Sequence, residues 1–265
     1  MDFRRIEWIF LVVFVGLNIF LGISFFQAQQ VDLATTKSGD AATITDITRD
    51  QIKLPHLSKQ TPEGDYLASQ ANTALSAAHS KLVKQQVSIS EGDYQELQAS
   101  LDTPITLKKS QQIRQLTTFV KDSIYHGSEY EYAPALSSDE RVVFAQHPKA
   151  GMIYDRRAAV TLHVVDDRLV SYSQTYLAKL SVLRDRLNLM SEQDAVITLY
   201  RDNDIPNNSA IVSTKLAYSY LLDAKGSTVY VPAWYIGVKN RATGNVTVKR
   251  VNAITRTVMK NRNDN

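Results

Sequence analysis

The sequence predicts an α+β protein: a single N-terminal transmembrane helix followed by an extracytoplasmic region of two helix-plus-antiparallel-sheet units. Three observations carry this. Residues 8–26 (WIFLVVFVGLNIFLGISFF) are nineteen positions without a formal charge. Beyond them, apolar residues recur twice at helical spacing, near 113–124 and near 195–200. After each of those stretches, apolar and polar residues alternate in segments divided by Asp-, Asn- and Gly-containing turns, the pattern of half-buried antiparallel strands.

The apolar run comes first. Fourteen of its nineteen residues are Ile, Leu, Val or Phe, and as a helix it extends about 28 Å, close to the hydrocarbon thickness of a bilayer. Arg4 and Arg5 precede it and the next basic residue is Lys37. That asymmetry leaves residues 1–7 in the cytoplasm and exports everything after the span 8–26. A cleaved secretory leader would have a shorter apolar core and a small-x-small site; Phe26-Gln27-Ala28-Gln29 offers none. Within the span, Gly16, Asn18, Gly22 and Ser24 are candidate contacts for a partner helix. Small residues allow close approach, and an intramembrane amide gains about 0.6–2 kcal/mol by bonding across helices. Gly16 and Gly22 are six apart, so the GxxxG spacing is absent.

Residues 27–50 are polar, without sustained apolar periodicity, and are expected to form a stalk that is helical in part. The first unit is placed at 51–180. It is expected to contain a strand at Tyr66–Ala71, a helix at Thr73–Val83 capped by Asn72, and two strands, Gln86–Ser90 and Tyr94–Ser100, around Glu91-Gly92-Asp93. An amphipathic helix follows, with Ile113, Leu116, Phe119, Val120 and Ile124 on one face. Arg141–Gln146 is a short strand. Ala159–Val165 alternates Val160, Leu162 and Val164 inward. Across a tight turn at Asp166-Asp167, Arg168–Leu177 returns with Val170, Tyr172 and Tyr176 on one side.

The second unit is placed at 181–265. Ser191-Glu192-Gln193-Asp194 reads as a capping box, opening a helix whose inward face is Ala195, Val196, Leu199 and Tyr200. The stretch Arg201–Asn208, with Pro206, stops it. Leu216, Tyr218, Tyr220 and Leu222 alternate along a strand that turns at Asp223-Ala224-Lys225-Gly226. In the strand Thr228–Val238, Pro232 implies an edge or a bulge. Asn240–Asn245 turns the chain and Val246–Met259 closes the sheet.

Composition narrows the chemistry. There are no cysteines, which removes disulfides, thiolate metal sites and cysteine nucleophiles. Net charge is +3, yet Lys239, Arg241, Lys249, Arg250, Arg256, Lys260 and Arg262 face only Asp264 at the C-terminal end. This stretch reads as the solvated face of strands and a frayed tail, with an anionic-partner surface as the alternative. Five scattered histidines, His163 among them, show no metal-ligand spacing. No nucleophile elbow and no phosphate-binding glycine loop occur. The acids Glu129, Glu131, Asp139 and Glu140 surround Tyr125, Tyr130 and Tyr132, and they read as solvated loop residues rather than aimed catalytic carboxylates. The chain is expected to have no catalytic residues, metal or cofactor, and no nucleic-acid partner on the exported side.

The N-terminus MDFRRIEWIF with its uncleaved anchor, the segment SEQDAVITLYRDNDIPNNSAI, and the C-terminal LAYSYLLDAKGSTVYVPAWYIGVKN with VKRVNAITRTV resemble the YycI (WalI) family. The helix-plus-sheet units are also similar to PepSY-type, YycH-like modules of exported bacterial regulators. The resemblance implies a bitopic accessory protein of a WalK–WalR (YycG–YycF) two-component system controlling cell-wall metabolism. Such a protein works with a YycH-like partner, contacts the membrane sensor histidine kinase and has no enzymatic activity. The competing expectation is a PepSY-like extracytoplasmic binding module for a cell-wall polymer or a protease.

Overall fold

The computed structural model describes residues 3–78, 85–92, 94–224 and 226–260. Two compact units divide the chain, 1–51 and 52–265.

The first unit contains one helix, α1, Phe3–Arg49. The helical backbone runs without a break through the segment expected to be a stalk, since no proline interrupts it. Near its end Thr43, Thr45 and Thr48 return their hydroxyls to the carbonyls four residues back, and Arg49 pairs with Asp46 at 2.9 Å. From Phe10 to Leu21 the side chains are all exposed. Among the described residues no helix is long and apolar enough to cross a membrane.

The second unit is α+β, with two six-stranded antiparallel sheets. Its strands are β1 (Glu63–Gln70), β2 (Gln85–Glu91), β3 (Gln95–Thr106), β4 (Tyr130–Tyr132), β5 (Arg141–Gln146), β6 (Ala159–Val165), β7 (Arg168–Gln174), β8 (Leu180–Asn188), β9 (Ser209–Ala224), β10 (Ser227–Asn240), β11 (Val246–Asn252) and β12 (Val258–Met259). Its helices are α2 (Ala74–Ala78), α3 (Gln112–Ser123) and α4 (Glu192–Arg201).

One sheet has the order β2-β3-β7-β6-β5-β4. Its inner face packs on α3, joining Leu116 and Val120 to Leu97, Phe144, Val160, Leu162 and Tyr172. Asp166 and Asp167 both take positive φ (49° and 56°), the primed turn that suits a two-residue hairpin. The sequence pattern for β7 needs one correction. Leu169, not Val170, is buried beside Tyr172. A bulge between His163 and Val164 pairs Val164 with Leu169 and leaves Val170 as the extra residue. Strand period is two, so that single insertion reverses every side chain beyond it.

In the other sheet β10 is a spine. Along one edge it pairs with β9 over its whole length. Along its other edge two partners lie end to end: β1 at residues 227–230 and β11 at 233–239. Beyond β1 lies β8, and beyond β11 lies β12. Pro232 is therefore in a central strand, where the expectation is an edge or a bulge; the register shifts of the β9–β10 ladder fall at Val229/Tyr230 and Gly237/Val238. The proline is tolerated because it falls between the end of the β1 ladder and the start of the β11 ladder, where no donor is required. The capping box of α4 is formed: Asp194 N donates to Ser191 Oγ (3.1 Å) and Ser191 N to Asp194 Oδ2 (3.3 Å).

Two features depart from the sequence pattern. Strand β1 precedes the first sheet in the chain but is hydrogen-bonded into the second. Its Leu67, Ala68 and Ser69 are buried in succession, as a strand covered on both faces requires. Strand β8 was not expected at all. It is an edge strand, exposed on both faces, so no alternation marks it. The helix expected at Thr73–Val83 is described as α2, with Asn72 Oδ1 accepting from Ala74 N at 3.0 Å; residues 79–84 lie outside the described residues.

The end of α3 generates a stability test. A Cβ on the buried Gly127 would lie 1.7 Å from the Val120 carbonyl oxygen. Backbone cannot yield there as a flexible side chain would. Gly127→Ala is expected to cost about 3 kcal/mol, read as a lower urea midpoint with unchanged slope.

Candidate functional site

The sheets meet through small side chains: Ala145 and Ala159 of one face Ala217 and Ala233 of the other, with Tyr154 and Tyr235 in edge contact at 4.8 Å. Small residues let two sheets approach closely. At one end of this junction the sheets diverge and leave a cleft of about 300 Å³. Its walls are the end of β1 (Ser69–Asn72), the start of β3 (Tyr94), the segment after β7 (Tyr176, Leu177) and the β9–β10 turn (Asp223, Gly226–Thr228).

Arg157 forms the floor. It sits in a 3-10 turn, Arg156–Ala158, whose start is capped by Asp155 Oδ1 accepting from Arg157 N at 2.9 Å. The guanidinium is only 5% exposed and lies 4.9 Å from the Tyr220 ring centroid and 5.7 Å from that of Tyr94. Its Nη1 donates to Asp223 Oδ1 and to Thr228 Oγ1, both at 2.8 Å, and its Nη2 to Asp223 Oδ2 at 3.1 Å. A buried cation needs such a fork-to-fork partner. The hydrogen bond from Arg157 holds the Asp223 carboxyl down to about 2, with Thr228 and Tyr220 adding to it against partial burial. Burial alone would lower the Arg157 guanidinium, but Asp223 outweighs it and raises it. Arg157 Nε and the hydroxyl of Tyr230 are both buried here without a well-aligned partner, and the two side chains act on each other through a hydrogen bond. Burial raises the Tyr230 phenol, and Arg157 acts on it in the opposite sense.

A second polar network adjoins the cleft through Tyr176. The Tyr176 hydroxyl donates to Glu129 Oε2 at 3.0 Å, and Gln146 Nε2 approaches the same oxygen at 3.4 Å. His126 Nδ1 lies 2.7 Å from Glu129 Oε1, with its ring stacked on Tyr176 at 5.0 Å. Behind them the Tyr130 hydroxyl donates to the Thr175 carbonyl, and Gln174 Nε2 donates to Tyr125 O and Tyr130 Oη. Glu129 is thus a fixed member of a network, which corrects its reading as a solvated loop acid. Glu131 pairs with His147 at 2.6 Å. His163 is exposed on β6, as its position between Leu162 and Val164 implied.

The residues singled out in the apolar segment are placed as follows. Gly16 and Asn18 are exposed on α1, and nothing lies within 4 Å of the Cβ position of Gly16. Asn18 Nδ2 donates to Phe14 O at 2.8 Å, so one of its amide hydrogens already serves its own helix. For Gly22, Ser24, Arg4 and Arg5 the helical backbone is described, and their side chains lie outside the described residues. In the basic C-terminal stretch, Lys249 is spent on Asp204 (2.6 Å), and Arg250 on Ser219 and the Lys260 carbonyl. Among the described residues no group of three or more His, Asp or Glu could hold a metal ion.

The sequence alone did not reveal the cleft. Arg157 and Asp223 are 66 positions apart, and each has a local explanation, the one beside a turn cap and the other near the end of a hairpin strand.

The sequence model of the family described as YycI protein matches residues 32–254, most of the chain. Among curated proteins none matches. Of solved structures, an uncharacterized protein from Eubacterium rectale ATCC 33656 is similar at 9% identity and TM-score 0.45, covering 80% of this chain and 90% of that one. The YpeB C-terminal domain of Bacillus megaterium is similar at 16% identity and TM-score 0.39, covering 74% of this chain and all of that one.

The ion pair sets a pH dependence. Asp223 has a folded value depressed from the ordinary 3.8 to about 2, so its contribution is complete above about pH 4 and fades as pH falls through 2. Asp223→Asn is expected to cost about 1 kcal/mol at neutral pH, discounted because Asp223 is half exposed. In thermal unfolding of both proteins from pH 7 to 2, the gap between midpoints should hold down to about pH 4 and then close.

Proposed function

The chain belongs to the YycI family, and from that premise we propose that it is a membrane-anchored accessory regulator of a WalK/YycG-type sensor histidine kinase controlling cell-wall metabolism. It acts beside a YycH-like partner. The observation that carries this reading is the family match over residues 32–254. The anchor is assigned to 8–26, with the N-terminus cytoplasmic and the body from residue 52 onward extracellular, on the strength of the uncharged apolar run and the Arg4–Arg5 pair. No catalytic step is part of the proposal.

The physical mechanism is differential binding. Two proteins confined to one bilayer meet at a high effective concentration, so weak helix contacts suffice for association. An accessory protein shifts a two-state kinase only by binding one state better. A difference of about 1–3 kcal/mol gives a bias of about 5- to 150-fold. In this reading Gly16, Asn18, Gly22 and Ser24 supply part of that difference. Asn18 then offers its carbonyl oxygen and its second N–H, since the first serves Phe14.

The cleft between the sheets favours a second reading, an extracytoplasmic PepSY-like binding module for a cell-wall polymer or a protease. The readings separate experimentally. With 8–26 replaced by a poly-Leu helix, the regulator reading expects kinase output to uncouple while the body stays folded and exported. Kinase output equal to wild type in that chimera counts against it and favours the binding module. Photo-crosslinking from positions 16, 18 and 22 in living cells is expected to capture the kinase or the YycH-like protein, and capture of neither counts against the anchor contacts.

A further inference from the structure

We propose that the cleft between the two sheets is a receptor for a carboxylate-bearing ligand, in which Arg157 is the receptor group and Asp223 occupies the ligand's place from within the chain. This does not depend on the kinase reading.

The asymmetry of the ion pair is the first support. Arg157 is 5% exposed and Asp223 is 53% exposed. The cation is held independently of the pair, by the Asp155-capped turn and by two tyrosine rings. Its anion stands near the end of the β9–β10 ladder, opposite Thr228, and is half exposed to water. A receptor needs its cation fixed and its counter-ion open to exchange, and this half-buried, half-exposed pair has that arrangement.

The second support is donor accounting. A guanidinium has five N–H groups arranged along two bidentate edges. Asp223 and Thr228 take three hydrogens from Nη1 and Nη2. Nε has no well-aligned acceptor; its neighbour is the buried Tyr230 hydroxyl, on which Arg157 acts through a side-chain hydrogen bond. Arg157 lines the cleft, and a carboxylate brings acceptor oxygens in pairs for the edges of its guanidinium. Arg156, exposed, lies 5.4 Å from the ring centroid of Tyr94, which lines the cleft.

The third support is the shape of the space. About 300 Å³ is enough for a ligand of a few heavy-atom groups. Leu177, Tyr94 and Tyr176 supply apolar and aromatic walls, and Ser69, Gln70 and Ser227 supply polar ones. Exchange of one carboxylate for another leaves the guanidinium solvated by the same chemistry throughout, so its burial is no barrier. It also releases the β9–β10 turn, which the Asp223 bonds tie to Arg157 and Thr228.

The test uses the full chain in detergent micelles with arginine labelled by ¹⁵N. The buried Arg157 Nε–H signal is followed while acetyl-Ala-Ala with a free carboxylate, the same dipeptide as its amide, and galacturonate are added. Saturable movement of that signal by at least one free acid, with none by the amide, is expected. The acid that acts tells peptide from sugar acid. Hydrogen exchange in 219–230 should rise severalfold on binding. Asp223→Asn is expected to bind the active acid about tenfold tighter, because the internal competitor is weakened. Arg157→Met should bind none; if it fails to fold, the Asp223→Asn comparison carries the test. No response to either acid up to 10-fold above the concentration that saturates free guanidinium, an equal response to the amide, or unchanged affinity in Asp223→Asn would each overturn the proposal.

Discussion

The body from residue 52 onward depends on one backbone exchange between its two sheets. Tyr218 N donates to Met152 O at 2.7 Å, and Tyr154 N donates to Tyr218 O at 2.8 Å. The two bonds clamp the segment between β5 and β6 of one sheet onto β9 of the other. A hydrogen bond of this kind contributes only about 1 kcal/mol net, but burying its groups unpaired would cost about 1–3 kcal/mol each. The clamp is therefore required wherever the sheets exclude water. It orders Ile153 against Leu67, Tyr218 and Tyr230. It also fixes, three residues later, where Arg157 enters the junction.

That placement explains why a charged residue is tolerated in an otherwise apolar seam. Arg157 enters between Tyr94 and Tyr220, whose ring faces attract a cation. Its charge is met at once by a carboxylate from the opposite sheet. Such pairs often add little to stability when compared with an apolar replacement of equal size. What they add is register: only one alignment of β9 and β10 brings Asp223 and Thr228 together onto the guanidinium. The neighbouring Glu129 network works similarly, with donors from three separate segments converging on one carboxylate.

How far the sequence revealed this depends on the range of each interaction. Helix α3, the capping box of α4 and the Asp166-Asp167 hairpin were legible because their causes are local: spacing, a cap three residues away, a turn residue suited to positive φ. The inward face of β7 was misread at Val170 because a bulge depends on the partner strand, which the pattern of one strand does not contain. Strand β1 belongs to the second sheet for the same reason, since its partners lie more than a hundred positions away. The cleft was invisible, as each of its polar residues has a sufficient local role. Family membership, by contrast, was legible in the motifs from Ser191 onward, which fall largely within the matched residues 32–254.

The hairpin β9–β10 connects the cleft to the start of the body. One end carries Asp223 and Thr228 on Arg157. The other, about 45 Å away for fourteen paired residues at 3.3 Å each, is bonded to Lys53, which donates to Ser209 O and accepts from Ile211 N, both at 2.9 Å. Lys53 follows the end of the helical unit by two residues. A paired ladder transmits displacement better than a loop does, because alternate residue pairs are fixed by two backbone bonds each, interrupted here only by shifts at Val229/Tyr230 and Gly237/Val238. Coupling still requires that the far end have two arrangements of similar free energy. On its other edge β10 changes partner from β1 to β11 at Pro232, whose carbonyl accepts from Ala253 N at 2.9 Å, so the change of partner is itself bonded in place.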